Sequence, residues 1–169
     1  ETTETPKATV TPEADKDNIF DAADKDIKED NRSTDFVEDL TDAQKEMIGV
    51  VVSSYNCCCY CLTTHGDNLR GMWKNARLVD KISYNYRSAK DELSKEDYAL
   101  CEYAWYVTAH PRDIDQEQVN KLREAGLDDH QILEAAFVAG FFNYTNRWVS
   151  TIAPVPNPGH YSHNRNFED

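Results

Sequence analysis

The sequence has little of what several common functions require. Only 18 of its 169 residues are Lys or Arg, against 31 Asp or Glu, so the formal net charge is −13. Binding to a phosphate backbone needs clustered basic side chains, which excludes nucleic acid as a partner. The six glycines form no glycine-rich loop, so no nucleotide site is indicated. The longest apolar run, residues 47–52, is far shorter than the roughly 20 residues of a membrane-spanning helix.

The negative charge is concentrated near the N-terminus. Residues 1–40 contain 13 acidic and 5 basic residues. Four large apolar residues precede residue 36: Val10, Ile19, Phe20 and Ile27. These are too few to offset the conformational entropy lost in ordering a folded unit. We therefore expect residues 1–35 to form an acidic arm that is extended or lies along a partner.

The start of the chain bears on its location. The first residue is Glu1 rather than Met, which favours a processed chain or a fragment, and neither a secretory signal nor a lipidation motif is present. Together with a partner-binding arm, this favours a mitochondrial complex, with the cytoplasm as the alternative.

Helical signals dominate from residue 36 onward. Three pairs of residues resemble helix starts with a capping residue: Thr41 with Gln44, Ser94 with Asp97, and Asp128 with Gln131. Apolar residues follow each start at helical spacing, and no run alternates with a period of two. Gly126 is suited to end a short helix, and the prolines of residues 154–158 end the last one. We predict an all-α domain over residues 36–153 and an irregular tail over residues 154–169.

The strongest signal is a cluster of cysteines. Four of the five lie within residues 57–61. On one helix, Cys58, Cys61 and His65 would project at about 0°, 300° and 340°, so two thiols and an imidazole would share one face. A C-x-x-C at a helix N-terminus can hold a thiolate stabilised by the helix dipole, and His65 can accept or donate its proton.

Three interpretations of this cluster compete. A structural zinc site needs four ligands from at least two segments, and no second C-x-x-C or H-x-x-x-H pair is present, so no metal is expected. Buried, inert cysteines explain Cys101 well and the face of Cys58, Cys61 and His65 poorly. A redox dithiol explains that face best.

The spacing of these residues resembles a known family. Glu46, Cys58, Cys61 and His65 read E-x11-C-x-x-C-x3-H, which is similar to the active-site signature of the alkylhydroperoxidase D and carboxymuconolactone decarboxylase superfamily. The similarity to its peroxidase-related branch extends to residues 51–53 with Asn56, and to residues 122–127 and 142–147. The decarboxylase branch generally lacks the cysteine pair, so its chemistry is not expected here.

The resemblance implies a fold, an activity and four catalytic residues. Members of the dithiol branch are all-helical, form homo-oligomers and reduce hydroperoxides with no cofactor. Cys61 would be the peroxidatic thiol and Cys58 the resolving thiol, with a dithiol reductant restoring the pair. Glu46 and His65 would form a proton relay, which requires the chain to turn near residue 56.

Four further residues are possible auxiliaries. Tyr60 stands where some peroxidase members have a second histidine, and its hydroxyl can hydrogen-bond to water or substrate. On a continuous helix Cys57 would lie near Cys61 and compete as a resolving partner. Asn146 and Arg147 end the last apolar helix, where Arg147 is more simply explained as a C-terminal cation or an interface ion pair than as a substrate contact.

Two alternatives to a peroxidase remain open. Peroxidase-related members usually have further helices where this chain has its acidic arm. The chain could therefore be an accessory subunit of a larger, possibly respiratory, complex that contacts residues 1–35, with the thiol site retained or vestigial. A dithiol oxidoreductase without a peroxide substrate would use the same residues.

Overall fold

The structure is a computed structural model that describes residues 39–165. The arm predicted over residues 1–35 lies outside the described residues. The accessory-subunit hypothesis depends on that arm and stays a prediction.

The described residues are helical and contain no strand, as the sequence predicts. The α-helices are α1 (Asp42–Tyr55), α2 (Cys59–Trp73), α3 (Ala76–Asn85), α4 (Lys95–Ala109), α5 (Gln116–Ala125) and α6 (Asp129–Ile152), and a 3₁₀ helix covers Tyr86–Ala89. No helix within residues 39–165 is long and apolar enough to cross a membrane.

The predicted helix starts coincide with real caps. Thr41 Oγ1 accepts from the backbone N–H of Gln44 at 3.2 Å, and the Gln44 side chain accepts from Thr41 N–H at 3.0 Å. Asp128 makes the same reciprocal pair of hydrogen bonds at the start of α6. The Ser94 side chain accepts from the backbone N–H of Asp97 without the reciprocal bond. Gly126 ends α5 with φ 115°, a left-handed conformation that glycine adopts without a steric cost.

Helix α1 lies at the centre of the fold. It contacts α2, α4 and α6, and its residues 47–53 are all buried. A helix that is apolar on every side belongs in the core. Glu46 directly precedes this buried stretch, so the core fixes the backbone from which its carboxylate projects.

The segment after α6 is irregular but packs against α2. Its anchor is Asp67, which is only 5% exposed. The carboxylate is bound by His160 Nε2 at 3.0 Å, by His163 Nδ1 at 3.0 Å and by Asn164 Nδ2 at 2.8 Å. Residues 153–165 are therefore tied to the outer face of α2.

Gly49 is required by the packing of α1 on α6. A Cβ at this position would lie 2.4 Å from Cζ of Phe142, a buried ring. Overpacking of this kind costs about 1–3 kcal/mol, more than the roughly 1 kcal/mol that alanine gains in a helix. We predict that Gly49→Ala lowers the free energy of unfolding by about 1 kcal/mol in urea denaturation. Gly140→Ala is the matched control, since Gly140 is in helix α6 with no atom within 4 Å of the added methyl group. It should raise stability, and a gain in both variants would contradict the assigned packing.

Asp67 should make stability depend on acid pH. Burial opposes its ionisation, but hydrogen bonds from His163 and Asn164 outweigh burial and hold the pKa of Asp67 below its usual value of about 4. The unfolded chain therefore binds this proton first, so the contribution of Asp67 is fully present above about pH 4 and is lost as pH falls through its lowered pKa. We predict that Asp67→Asn costs about 2 kcal/mol at neutral pH and flattens the acid limb of the unfolding free energy against pH. Asp91→Asn, at an exposed position, should change neither, and an unchanged acid limb in Asp67→Asn would refute the assignment.

Candidate active site

A three-residue joint folds α2 back onto α1. Helix α1 ends at Tyr55 and α2 begins at Cys59, so residues 56–58 reverse the chain. Cys57 adopts φ 54°, an uncommon left-handed conformation for a residue other than glycine. The turn that the glutamate needed in order to reach the histidine is therefore present at the expected place.

Glu46 and His65 meet across this joint. Glu46 Oε2 lies 2.7 Å from His65 Nδ1, and both side chains are partly buried. The other oxygen, Oε1, accepts from Asn68 Nδ2 at 2.9 Å. With the carboxylate ionised, Nδ1 carries the imidazole hydrogen and Nε2 is the basic nitrogen. Sequence reasoning missed Asn68. It lies on α2 one turn after His65, and its hydrogen bond keeps the Glu46 carboxylate from rotating away.

The imidazole is also held by an aromatic ring. His65 and Phe142 meet edge to face, with ring centroids 4.6 Å apart and an interplanar angle of 84°. Phe142 in turn fills the space left by Gly49. The ring orientation of His65 is thus set by Glu46 on one side and by α6 on the other.

Cys58 and Cys61 form a buried dithiol. Cys58 is the N-cap residue of α2 and Cys61 is in its first turn. Their sulfur atoms are 2.6 Å apart, compared with about 2.0 Å in a disulfide, and both thiols are free. Each residue is under 5% exposed, and the pair packs against Val149 and Tyr60. The two sulfurs are close enough that an oxidant could join them in a disulfide with only a small movement.

Burial keeps the proton on Cys61. Desolvation and the adjacent Cys58 sulfur raise the pKa of Cys61 to about 12, while a hydrogen bond from Asn146 and the α2 backbone act in the opposite direction. The start of α2 alone therefore does not make this thiol a thiolate at neutral pH. Ionisation of Cys61 requires a base, and His65 is four residues further along the same helix face.

Asn146 connects the dithiol to the joint. It is 1% exposed, donates to Ser53 Oγ at 3.1 Å and accepts from Asn56 Nδ2 at 3.0 Å. Asn56 Nδ2 is also 3.1 Å from Asn143 Oδ1. This amide network fixes the joint to α6 and places a polar group beside Cys61. Sequence reasoning named Asn146 but not the role of Ser53, because a serine buried within an apolar helix carries no motif.

The remaining candidate residues differ in how they lie relative to the dithiol. The prediction that Cys57 lies beside Cys61 on a continuous helix is wrong, because α2 begins only at Cys59 and Cys57 is exposed in the joint. Arg147 is exposed, and its Nη1 donates to the Asn143 carbonyl at 2.7 Å. Because α6 continues to Ile152 and has no basic residue in its last turn, Arg147 is not the helix C-terminal cation expected from the sequence. Tyr60 packs against the dithiol.

In the part of the chain that the structure describes, the side chains form no cluster of metal ligands. There, no group of three or more His, Cys, Asp or Glu side chains is arranged to hold an ion.

Solved structures with the same fold are known. An uncharacterized peroxidase-related protein from Silicibacter sp. TM1040 is 34% identical, with a TM-score of 0.71, over 86% of this chain and 72% of that one. A second, from Ralstonia eutropha JMP134 and described as an alkylhydroperoxidase AhpD core, is 27% identical, with a TM-score of 0.71, over 88% and 73% of the two chains.

A more distant structure shares the fold alone. The debrominase Bmp8 is 16% identical, with a TM-score of 0.64, over 76% of this chain and 67% of that one.

Comparisons by sequence alone identify no relative. No protein-family model matches the chain, and no curated protein matches it. The Silicibacter structure is nevertheless 34% identical over more than two thirds of both chains, which is enough to show the family. The chain belongs to the alkylhydroperoxidase D and carboxymuconolactone decarboxylase superfamily, among its peroxidase-related members.

Proposed function

We propose that this protein is a thiol peroxidase that reduces a hydroperoxide with the dithiol of Cys58 and Cys61. The observation that carries the proposal is the buried sulfur pair, 2.6 Å apart, on the helix whose His65 is bound to Glu46. The peroxidase-related proteins that share the fold support the same chemical class.

The first step would oxidise Cys61. Its thiolate attacks the distal oxygen of the hydroperoxide, the O–O bond breaks, and the alcohol leaves after taking up one proton. The product on the enzyme is a Cys61 sulfenic acid. Since burial keeps Cys61 protonated at rest, proton removal has to accompany the arrival of the peroxide.

The second step would form the disulfide. The Cys58 thiol attacks the sulfenic sulfur, an S–S bond forms, and the hydroxyl leaves as water. An external dithiol reductant then restores both thiols and is itself oxidised. Burial of the pair favours this closure because it keeps competing thiols and further oxidants away from the sulfenic acid.

His65 would transfer the protons. Its Nε2 takes the Cys61 proton and returns it to the leaving alkoxide. Glu46 acts through His65, so it is a positioning residue: it fixes the tautomer that leaves Nε2 basic and stabilises the imidazolium. Asn68 supports Glu46 in the same way.

Replacement of Cys61 should abolish activity. With cumene hydroperoxide and dithiothreitol, we predict that Cys61→Ser lowers enzyme-dependent peroxide consumption at least about 100-fold, because a serine hydroxyl is a far weaker nucleophile.

Glu46→Gln should lower kcat/KM about 10- to 100-fold and shift its pH profile, since the amide cannot stabilise an imidazolium. Cys57→Ser is the matched control and should retain activity within about twofold, because Cys57 is exposed in the joint.

Two outcomes would overturn the proposal. Normal turnover by Cys61→Ser would remove the catalytic thiol. Reduction of small disulfides without any peroxide consumption by the wild type would leave a dithiol oxidoreductase instead.

The protonated state of Cys61 can be measured directly. With a pKa raised to about 12 by burial, its rate of alkylation should still rise about tenfold per pH unit between about pH 8 and pH 9.5 without levelling off. Iodoacetamide labelling of the folded, reduced protein, read by peptide mass spectrometry, gives this rate for each cysteine. A plateau for Cys61 below about pH 8 would show a thiolate at rest and contradict the role given to His65.

A further inference from the structure

A cavity lies on the side of α2 that faces away from the dithiol. It has a volume of about 370 Å³ and is bounded by α2, α3 and the segment after α6. Leu62, Tyr84 and Tyr161 form a mostly apolar wall, and Arg70 and Arg165 line the same cavity. Its size is within the range of small-molecule sites.

Arg70 lacks the partners that a buried guanidinium needs. It is 3% exposed, and its Nη2 has no hydrogen-bond partner. Its Nε makes one long hydrogen bond of 3.4 Å to the His163 carbonyl, and Nη1 is 3.8 Å from Asp80 Oδ1. Burying a charge without good partners is costly, so this guanidinium needs a further polar partner, either an ordered water or an anion. Burial and the nearby Arg165 also lower the pKa of Arg70.

The acidic side chains nearby are already engaged. Asp80 is bonded directly to Arg165, is 44% exposed and must serve both guanidinium groups. Asp67, the other acid near Arg70, is taken by the histidines and Asn164 of the C-terminal segment. Within residues 39–165, Arg70 therefore forms an ion pair only with the shared Asp80, at 3.8 Å, and Asp80 also lines the cavity.

We propose that this cavity binds a small organic carboxylate. The carboxylate would lie between Arg70 and Arg165, since a guanidinium fork matches two carboxylate oxygens. The apolar body of the ligand would lie against Leu62, Tyr84 and Tyr161. The mostly apolar wall, together with the Asp80 carboxylate already in the cavity lining, favours a singly charged carboxylate over the more highly charged inorganic phosphate.

This site is separate from the dithiol. Cys59 lines the cavity and is exposed, whereas Cys58 and Cys61 are buried beside Val149. Successive residues of a helix point about 100° apart, so Cys59 faces the cavity while its neighbours face the dithiol side. The proposal therefore does not rest on peroxidase activity, and Cys59 provides a reporter for it.

The test is protection of Cys59 from alkylation. The full-length, reduced protein is treated with N-ethylmaleimide with and without phenylacetate, and labelling of each cysteine is followed by peptide mass spectrometry. We expect saturating phenylacetate to slow the labelling of Cys59 at least about fivefold and to leave Cys57 unchanged, since Cys57 is equally exposed but outside the cavity. Phenylacetamide, the same body without the charge, should protect far less.

Two variants test the arginines. Arg165→Gln changes a residue of the irregular segment, and Arg70→Met replaces a buried charge with an apolar side chain. Each substitution should raise the phenylacetate concentration needed for protection at least about tenfold. Arg77→Gln, at an exposed position of α3 outside the cavity, should match the wild type.

Four results would overturn the proposal. They are absence of protection at about 50 mM phenylacetate, equal protection by phenylacetamide or by inorganic phosphate, equal protection of Cys57, and unchanged protection in Arg165→Gln. Because each is read from labelling, failure here would leave the peroxide assay unaffected, and the reverse also holds.

Discussion

The hydrogen bond between Glu46 and His65 depends on a reversal of the chain within residues 56–58. Cys58 is twelve positions after Glu46, which would be about 18 Å along one continuous helix. The reversal removes that distance, but it places Cys57 in a left-handed conformation that costs a non-glycine residue about 1–2 kcal/mol. The Asn56 amide, bound to Asn143 and Asn146 of α6, offsets this cost. The same network that holds the joint therefore also reaches Cys61.

Burial of the dithiol has two opposing effects. It raises the pKa of Cys61, which lowers the concentration of the nucleophilic thiolate at neutral pH. It also shields the pair from chance oxidants, whereas Cys57 and Cys59 are open to solvent. In the proposed mechanism, Cys61 is protonated at rest and becomes reactive only when His65, held by Glu46, accepts its proton. That arrangement favours selectivity over intrinsic reactivity.

How much could be read from the sequence depended on the range of each interaction. Caps are local, so Thr41 and Asp128 were found from a four-residue pattern. Helix α3 was missed because its cap, Asn75, lacks the partner residue three positions on that marks a capping box. The pairing of Glu46 with His65 followed only from family spacing, since an isolated glutamate on a helix has no signal of its own. Contacts such as Asn68 with Glu46 require two helices to be placed first, which no local pattern provides.

Helix α2 links the two faces on which the proposals rest. Its inner face, with Cys61 and His65, is held by α1 and α6 through short hydrogen bonds and ring packing. Its outer face, with Asp67 and Arg70, is held by an irregular segment through hydrogen bonds and ion pairs. The outer contacts are the easier to rearrange, because few apolar atoms are buried with them. A ligand that binds beside Arg70 therefore acts first on the segment after α6, while the packing against α1 keeps the dithiol and its histidine in place.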